Sequence, residues 1–91
     1  MADIRILTNN TYRVLEYMYL NRDKNNQVII TQNEISENLG LNKSTVNIMI
    51  KSLKENGYIT QTENHVGRYG LTETGVKTVY LFRKSEKIGE K

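Results

Sequence analysis

The chain has 91 residues, 37% of them hydrophobic and 25% charged, with 13 Lys plus Arg against 10 Asp plus Glu for a formal net charge of +3. That is material for one small domain with a modest core, and too little for two domains or a deep enzyme cleft. Cys is absent, which excludes disulfides, thiolate nucleophiles and Cys-based zinc sites. No apolar run approaches the roughly 18 residues of a membrane span and the N-terminus lacks a signal-peptide pattern, so a cytoplasmic protein is expected.

In chain order, Tyr12, Val14, Leu15, Met18 and Tyr19 recur at three- and four-residue spacings and predict a helix over 8–21 with Thr8 as its N-cap. A polar tract, Asn21 to Asn26, breaks the pattern, and Val28-Ile29-Ile30 predicts a short strand. Thr31-Gln32-Asn33-Glu34 has the form of a capping box, so a second helix starts at Gln32, buries Ile35 and Leu39, and stops at Gly40, which takes positive φ cheaply. Asn42 is placed to cap a third helix whose apolar stripe is Val46, Met49, Ile50 and Leu53, ending at Gly57. Residues 58–63 and 68–71 predict two strands of a hairpin around the turn cluster Asn64-His65-Val66-Gly67, and Thr72 caps a last helix from about Glu73.

Two helices joined by about three residues with a Gly between them describe a helix-turn-helix. The expected fold is mainly α with a small β-hairpin (α+β), in the order α-β-α-α-β-β-α. Residues 1–41 carry 4 basic and 5 acidic side chains and residues 42–91 carry 9 and 5, so the second half faces a polyanion better.

The stretch Thr31 to Val46, with Leu53-Lys54-Glu55-Asn56-Gly57-Tyr58-Ile59 and Leu71-Thr72-Glu73-Thr74-Gly75, resembles the winged helix-turn-helix domains of bacterial and archaeal transcription regulators, the MarR-like and PadR-like groups above all. Each fragment is weak, whereas their order and spacing together are strong. The resemblance covers residues 7 to about 84 and implies a single DNA-binding domain over 1–91. Two departures stand out: Ser36 occupies a position the family usually gives to Ala, and Ile48 one that often carries Arg.

The resemblance implies that residues 42–56 form a recognition helix for the major groove of double-stranded DNA and that residues 63–69 form a wing on backbone or minor groove. Asn42, Lys43, Ser44, Thr45, Asn47, Ile48 and Lys51 avoid the apolar stripe and are the expected contacts from the helix. An Asn amide donates to and accepts from adenine at once, so Asn47 is the first candidate for direct readout. Lys43 and Lys51 suit guanine or phosphate. Ile48 would meet a thymine methyl, or belong to the core if the helix phase shifts by one residue.

In the wing, Arg68 is the stronger candidate and His65 the weaker, while Tyr69 is assigned to the core. Thr31 and Gln32 are placed to donate to a phosphate at a helix start, although Thr31 equally serves as a plain cap. His65 is the only histidine, so neither a multi-histidine metal site nor a triad is available within the chain, and no cofactor or catalysis is implied.

Val79-Tyr80-Leu81-Phe82 points to all sides of the final helix, about 73–87, which is expected to join a homodimer. Val79, Leu81 and Phe82 are its candidate interface residues; an inward packing of Val76, Val79 and Tyr80 would leave Leu81 and Phe82 outside. The leading expectation is a DNA-binding regulator, a repressor because 91 residues leave no room for an activation domain. A small-molecule effector has no support in the sequence. The rivals are a protein-binding winged helix and a plasmid or phage replication or partition factor.

Overall fold

The computed structural model describes residues 7–61 and 67–89, with side chains through residue 85. Seven elements follow one another: α1 (Asn9–Leu20), β1 (Gln27–Ile29), α2 (Gln32–Leu39), α3 (Lys43–Glu55), β2 (Ile59–Gln61), β3 (Arg68–Leu71) and α4 (Glu73–Gly89). The order α-β-α-α-β-β-α is the one expected.

Local chemistry sets most boundaries. Thr8 caps α1 through its hydroxyl, which accepts the Thr11 N–H. At Thr31 both halves of the capping box form: the hydroxyl accepts the Glu34 N–H at 3.1 Å, and the Glu34 carboxylate accepts the Thr31 N–H at 3.0 Å. Gly40 ends α2 in the left-handed region at φ 68°. Asn42 stands at the N-cap of α3 with extended backbone, but its side chain makes no capping bond.

Ser36 does more than fill an alanine's place, because its hydroxyl donates to the Leu41 carbonyl while the Leu41 N–H returns to the Ser36 carbonyl at 3.0 Å. The turn between α2 and α3 is therefore stitched by a side chain.

The hairpin is extended to a three-stranded antiparallel sheet of order β1-β3-β2, with Val28 opposite Tyr69 and Ile59 opposite Leu71. A strand of three residues needs such a partner, since its backbone groups are otherwise unpaired. One core lies between this sheet and the helices: Val14, Leu15 and Met18 of α1, Ile35 of α2, Val46, Ile50 and Leu53 of α3, Val28, Ile59, Tyr69 and Leu71 of the sheet, and Val79 of α4, joined by Ile30 and Tyr58. Met49, expected in the same stripe, is half-buried, and Tyr69 is core as expected.

The final helix corrects three expectations. Val79 is wholly buried in the chain's own core and is not available to a second chain. Phe82 is half-buried and stacks on Tyr12 of α1 with centroids 4.9 Å apart, while Tyr80, expected inside, is 54% exposed. Val76, Val79 and Phe82 are spaced by three and share the side that meets α1, which rotates Tyr80 and Leu81 outward. An Arg83–Glu16 ion pair at 3.0 Å links α4 to α1 as well.

Candidate nucleic-acid interface

On α3 the buried stripe of Val46, Ile50 and Leu53 fixes the helix phase, and the opposite row is Ser44, Asn47, Ile48 and Lys51, all exposed. Their spacing of three, one and three places them on one continuous face. Lys43 and Asn42 are exposed at its start, and Thr45 is half-buried at its flank. Ile48 is 68% exposed, so the alternative that made it core is overturned. Ile48 thus stands on the outward row with Ser44, Asn47 and Lys51.

The sheet brings Arg68 to the same end of the molecule as the starts of α2 and α3. A groove lined by Thr31, Gln32, Asn33, Lys43, Gly67 and Tyr69 runs where those three elements meet. Arg68, next to Gly67, is exposed and opens β3 opposite Ile29. Gly67 has φ 83°, and a Cβ there would lie 3.1 Å from the Ile30 carbonyl oxygen, so a side chain at this junction would push the wing base away from β1. His65 lies outside the described residues.

Lys43, Lys51 and Arg68 take part in neither of the two salt bridges among the described residues, which join Lys77 to Glu73 and Arg83 to Glu16. By contrast Lys54, also on α3, donates to Gln61 at 2.9 Å and ties the helix to β2. Lys24, on the loop before β1, is likewise in no ion pair among the described residues, but Lys43, Lys51 and Arg68 lie on or beside the outward row and at the wing base, where an anion would meet them without breaking an ion pair.

Thr31 belongs to the cap. Its hydroxyl accepts the Glu34 N–H and gives its own proton to the Glu34 carboxylate at 3.2 Å, and that carboxylate offsets the positive end of α2. This is the plain-cap role that the sequence also allowed for Thr31. Gln32 behaves otherwise: its Nε2 donates to Oδ1 of Asn47 at 3.2 Å, across the two helices. The chain separation of this pair leaves no local sequence signal for it, nor for the Arg13 guanidinium of α1 that donates to the Leu39 carbonyl at the end of α2 at 3.0 Å. That contact ties the end of α2 to α1 through a cation on a helix C-terminus.

Among the described residues no group of three or more His, Cys, Asp or Glu converges as a metal site. No helix among them is long and apolar enough to cross a membrane.

With this geometry in place, likeness to known proteins becomes informative. A family model described as the MarR family matches residues 7–68. The structure of S. aureus MepR in complex with DNA superposes with a TM-score of 0.71 and 26% identity, covering 92% of this chain and 68% of that one. MepR bound to ethidium bromide gives 0.72 and 25%, covering 92% and 60%. The CO-sensing protein from R. rubrum, at 0.68 and 18% over 78% of this chain and 35% of that one, shares the fold. In sequence, the phenylalanine–tRNA ligase alpha subunit of Sulfolobus acidocaldarius is 35% identical over 72 residues, 79% of this chain. This chain spans only 14% of that subunit's length.

Proposed function

The chain belongs to the MarR family, and from that premise we propose that it is a sequence-specific, double-stranded DNA-binding regulator of transcription, a repressor that acts in the cytoplasm by occupying its site. It has no catalytic role in this reading. α3 enters the major groove, with Asn42, Lys43, Ser44, Thr45, Asn47, Ile48 and Lys51 toward bases and phosphates, while Arg68 at the wing base meets the neighbouring backbone or minor groove. The working unit is a homodimer joined through the outward face of α4. What carries the reading is that Lys51 on the outward row of α3, Lys43 at its start and Arg68 at the wing base are exposed and in no ion pair among the described residues, in a chain that aligns with MepR from its DNA complex.

Fluorescence anisotropy on a random-sequence duplex across a salt series tests it. Binding is expected to weaken steeply with salt, and a Lys51→Ala, Arg68→Ala double variant is expected to bind more weakly with a log–log slope shallower by about 2. No binding by the unaltered protein at about 50 mM salt, where non-specific phosphate contacts are strong, overturns the reading.

The ligase relative favours a second reading, in which the domain is a nucleic-acid-binding or docking module of a larger protein. Competition between duplex DNA and unfractionated tRNA for the labelled protein separates the two. Preference for tRNA selects the second.

A further inference from the structure

We infer that Gln32 is a positioning residue for base readout, which fixes the Asn47 amide so that its outward end favours guanine. The inference rests on the proposed DNA reading and deepens it. Gln32 is the first residue of α2, held there by the Thr31–Glu34 capping box, and is half-buried; Asn47 is exposed on the outward row of α3. Their amides meet with Gln32 Nε2 donating to Asn47 Oδ1 at 3.2 Å.

An unrestrained Asn on a helix surface turns its amide through a broad range and offers either end to a ligand. Once Oδ1 faces Gln32, the opposite end of the amide is Nδ2 with its two protons. A bidentate contact with adenine requires Oδ1 to accept from the adenine amino group as well, and Gln32 already takes one of its two lone pairs, whereas both Nδ2 protons stay free. The free end is a donor and seeks acceptors.

Lys43 adds a second donor beside it, since Lys43 and Gln32 line the same groove at the helix starts and Lys43 is in no ion pair among the described residues. Guanine presents two acceptors, N7 and O6, on its major-groove edge, whereas adenine presents one acceptor beside a donor. The adenine preference expected from Asn47 alone is therefore replaced by a guanine preference when Gln32 is included.

Selection from a library of randomised duplexes tests this, run on the full chain unaltered and as Asn47→Ala, Gln32→Ala and Gln32→Glu. The unaltered protein is expected to select guanine at one position whose preference disappears in Asn47→Ala. Gln32→Ala is expected to reduce discrimination at that same position on the order of tenfold and to leave the rest of the motif in place. In Gln32→Glu the carboxylate only accepts, so Asn47 must turn Nδ2 toward it and Oδ1 outward. The preference then moves to a base that offers a donor, adenine or cytosine.

Uniform weakening by both Gln32 variants with no change of base preference overturns the positioning role and leaves the DNA reading standing. An adenine preference in the unaltered protein at the Asn47-dependent position also overturns it. Failure of the unaltered protein to bind any duplex overturns the DNA reading and this inference with it.

Discussion

Gly75 shows how a single residue type can be demanded by a close approach rather than by backbone shape. A Cβ built there would sit 2.2 Å from the Tyr58 carbonyl oxygen, an atom that also accepts the Thr72 N–H at 3.1 Å and the Thr72 hydroxyl at 3.0 Å. Because the obstacle is hydrogen-bonded backbone, it cannot swing aside as a flexible side chain would. Gly40 is the opposite case, with open space around it but φ 68°. Gly75→Ala is expected to cost about 3 kcal/mol by overpacking, and Gly40→Ala about 1 kcal/mol by left-handed strain alone. Urea unfolding midpoints of the two variants check the ranking, and a Gly40 variant less stable than the Gly75 variant contradicts it.

At the level of elements, the turn into β1 depends on one carboxylate. Asp23 accepts the N–H groups of Gln27 at 3.0 Å and Asn25 at 2.8 Å, and these bonds, Gln27's first, hold its carboxyl below the usual aspartate range. Asn26, in the left-handed region at φ 62°, completes the turn and accepts from Arg22 Nε at 3.1 Å. Since the native pKa lies below the unfolded one, the contribution of Asp23 is complete above the unfolded-state aspartate pKa of about 3.9 and is lost as pH falls through the lowered native value. Asp23→Asn is expected to flatten the fall in urea midpoint on the acid side of that range. An acid-side profile identical to that of the unaltered protein refutes the role.

What the sequence made legible follows the reach of each interaction. The Thr31–Glu34 box, the Gly40 stop and the Val46–Ile50–Leu53 stripe act within a turn or two, and all three are in the structure. The pairing of β1 with β3 was not legible, because a three-residue strand carries no mark of its partner's register. Four apolar residues in succession at 79–82 left the phase of α4 open, and the burial of Val79, the stacking of Phe82 on Tyr12 and the Arg83–Glu16 pair decide it. The site divided in the same way: the outward row of α3 followed from helix phase, whereas the Gln32–Asn47 bond and the diversion of the Thr31 hydroxyl to Glu34 required the helices to be placed against each other.

For the whole molecule the open question of assembly turns on which side of α4 is already used. Val79 is spent on the core and Phe82 on Tyr12 of α1, so the surface α4 leaves for a second chain is Tyr80 and Leu81, 54% and 59% exposed. Tyr19 and Tyr80 line one groove with Arg83 and Lys84, which makes the end of α1 and the outer side of α4 a joined surface. A charge at Leu81 is costly only if that surface is covered, whereas truncation of Val79 damages the monomer whether or not it is. Size exclusion with light scattering at micromolar concentration is expected to give twice the chain mass for the unaltered protein and the single mass for Leu81→Glu. Val79→Ala is expected to lower the melting temperature while remaining dimeric. A two-fold dimer presents two copies of α3 about 34 Å apart, one helical turn of DNA, so Leu81→Glu should bind a palindromic duplex no better than its half-site. A monomeric mass for the unaltered protein removes this assembly and requires α3 to find its site alone.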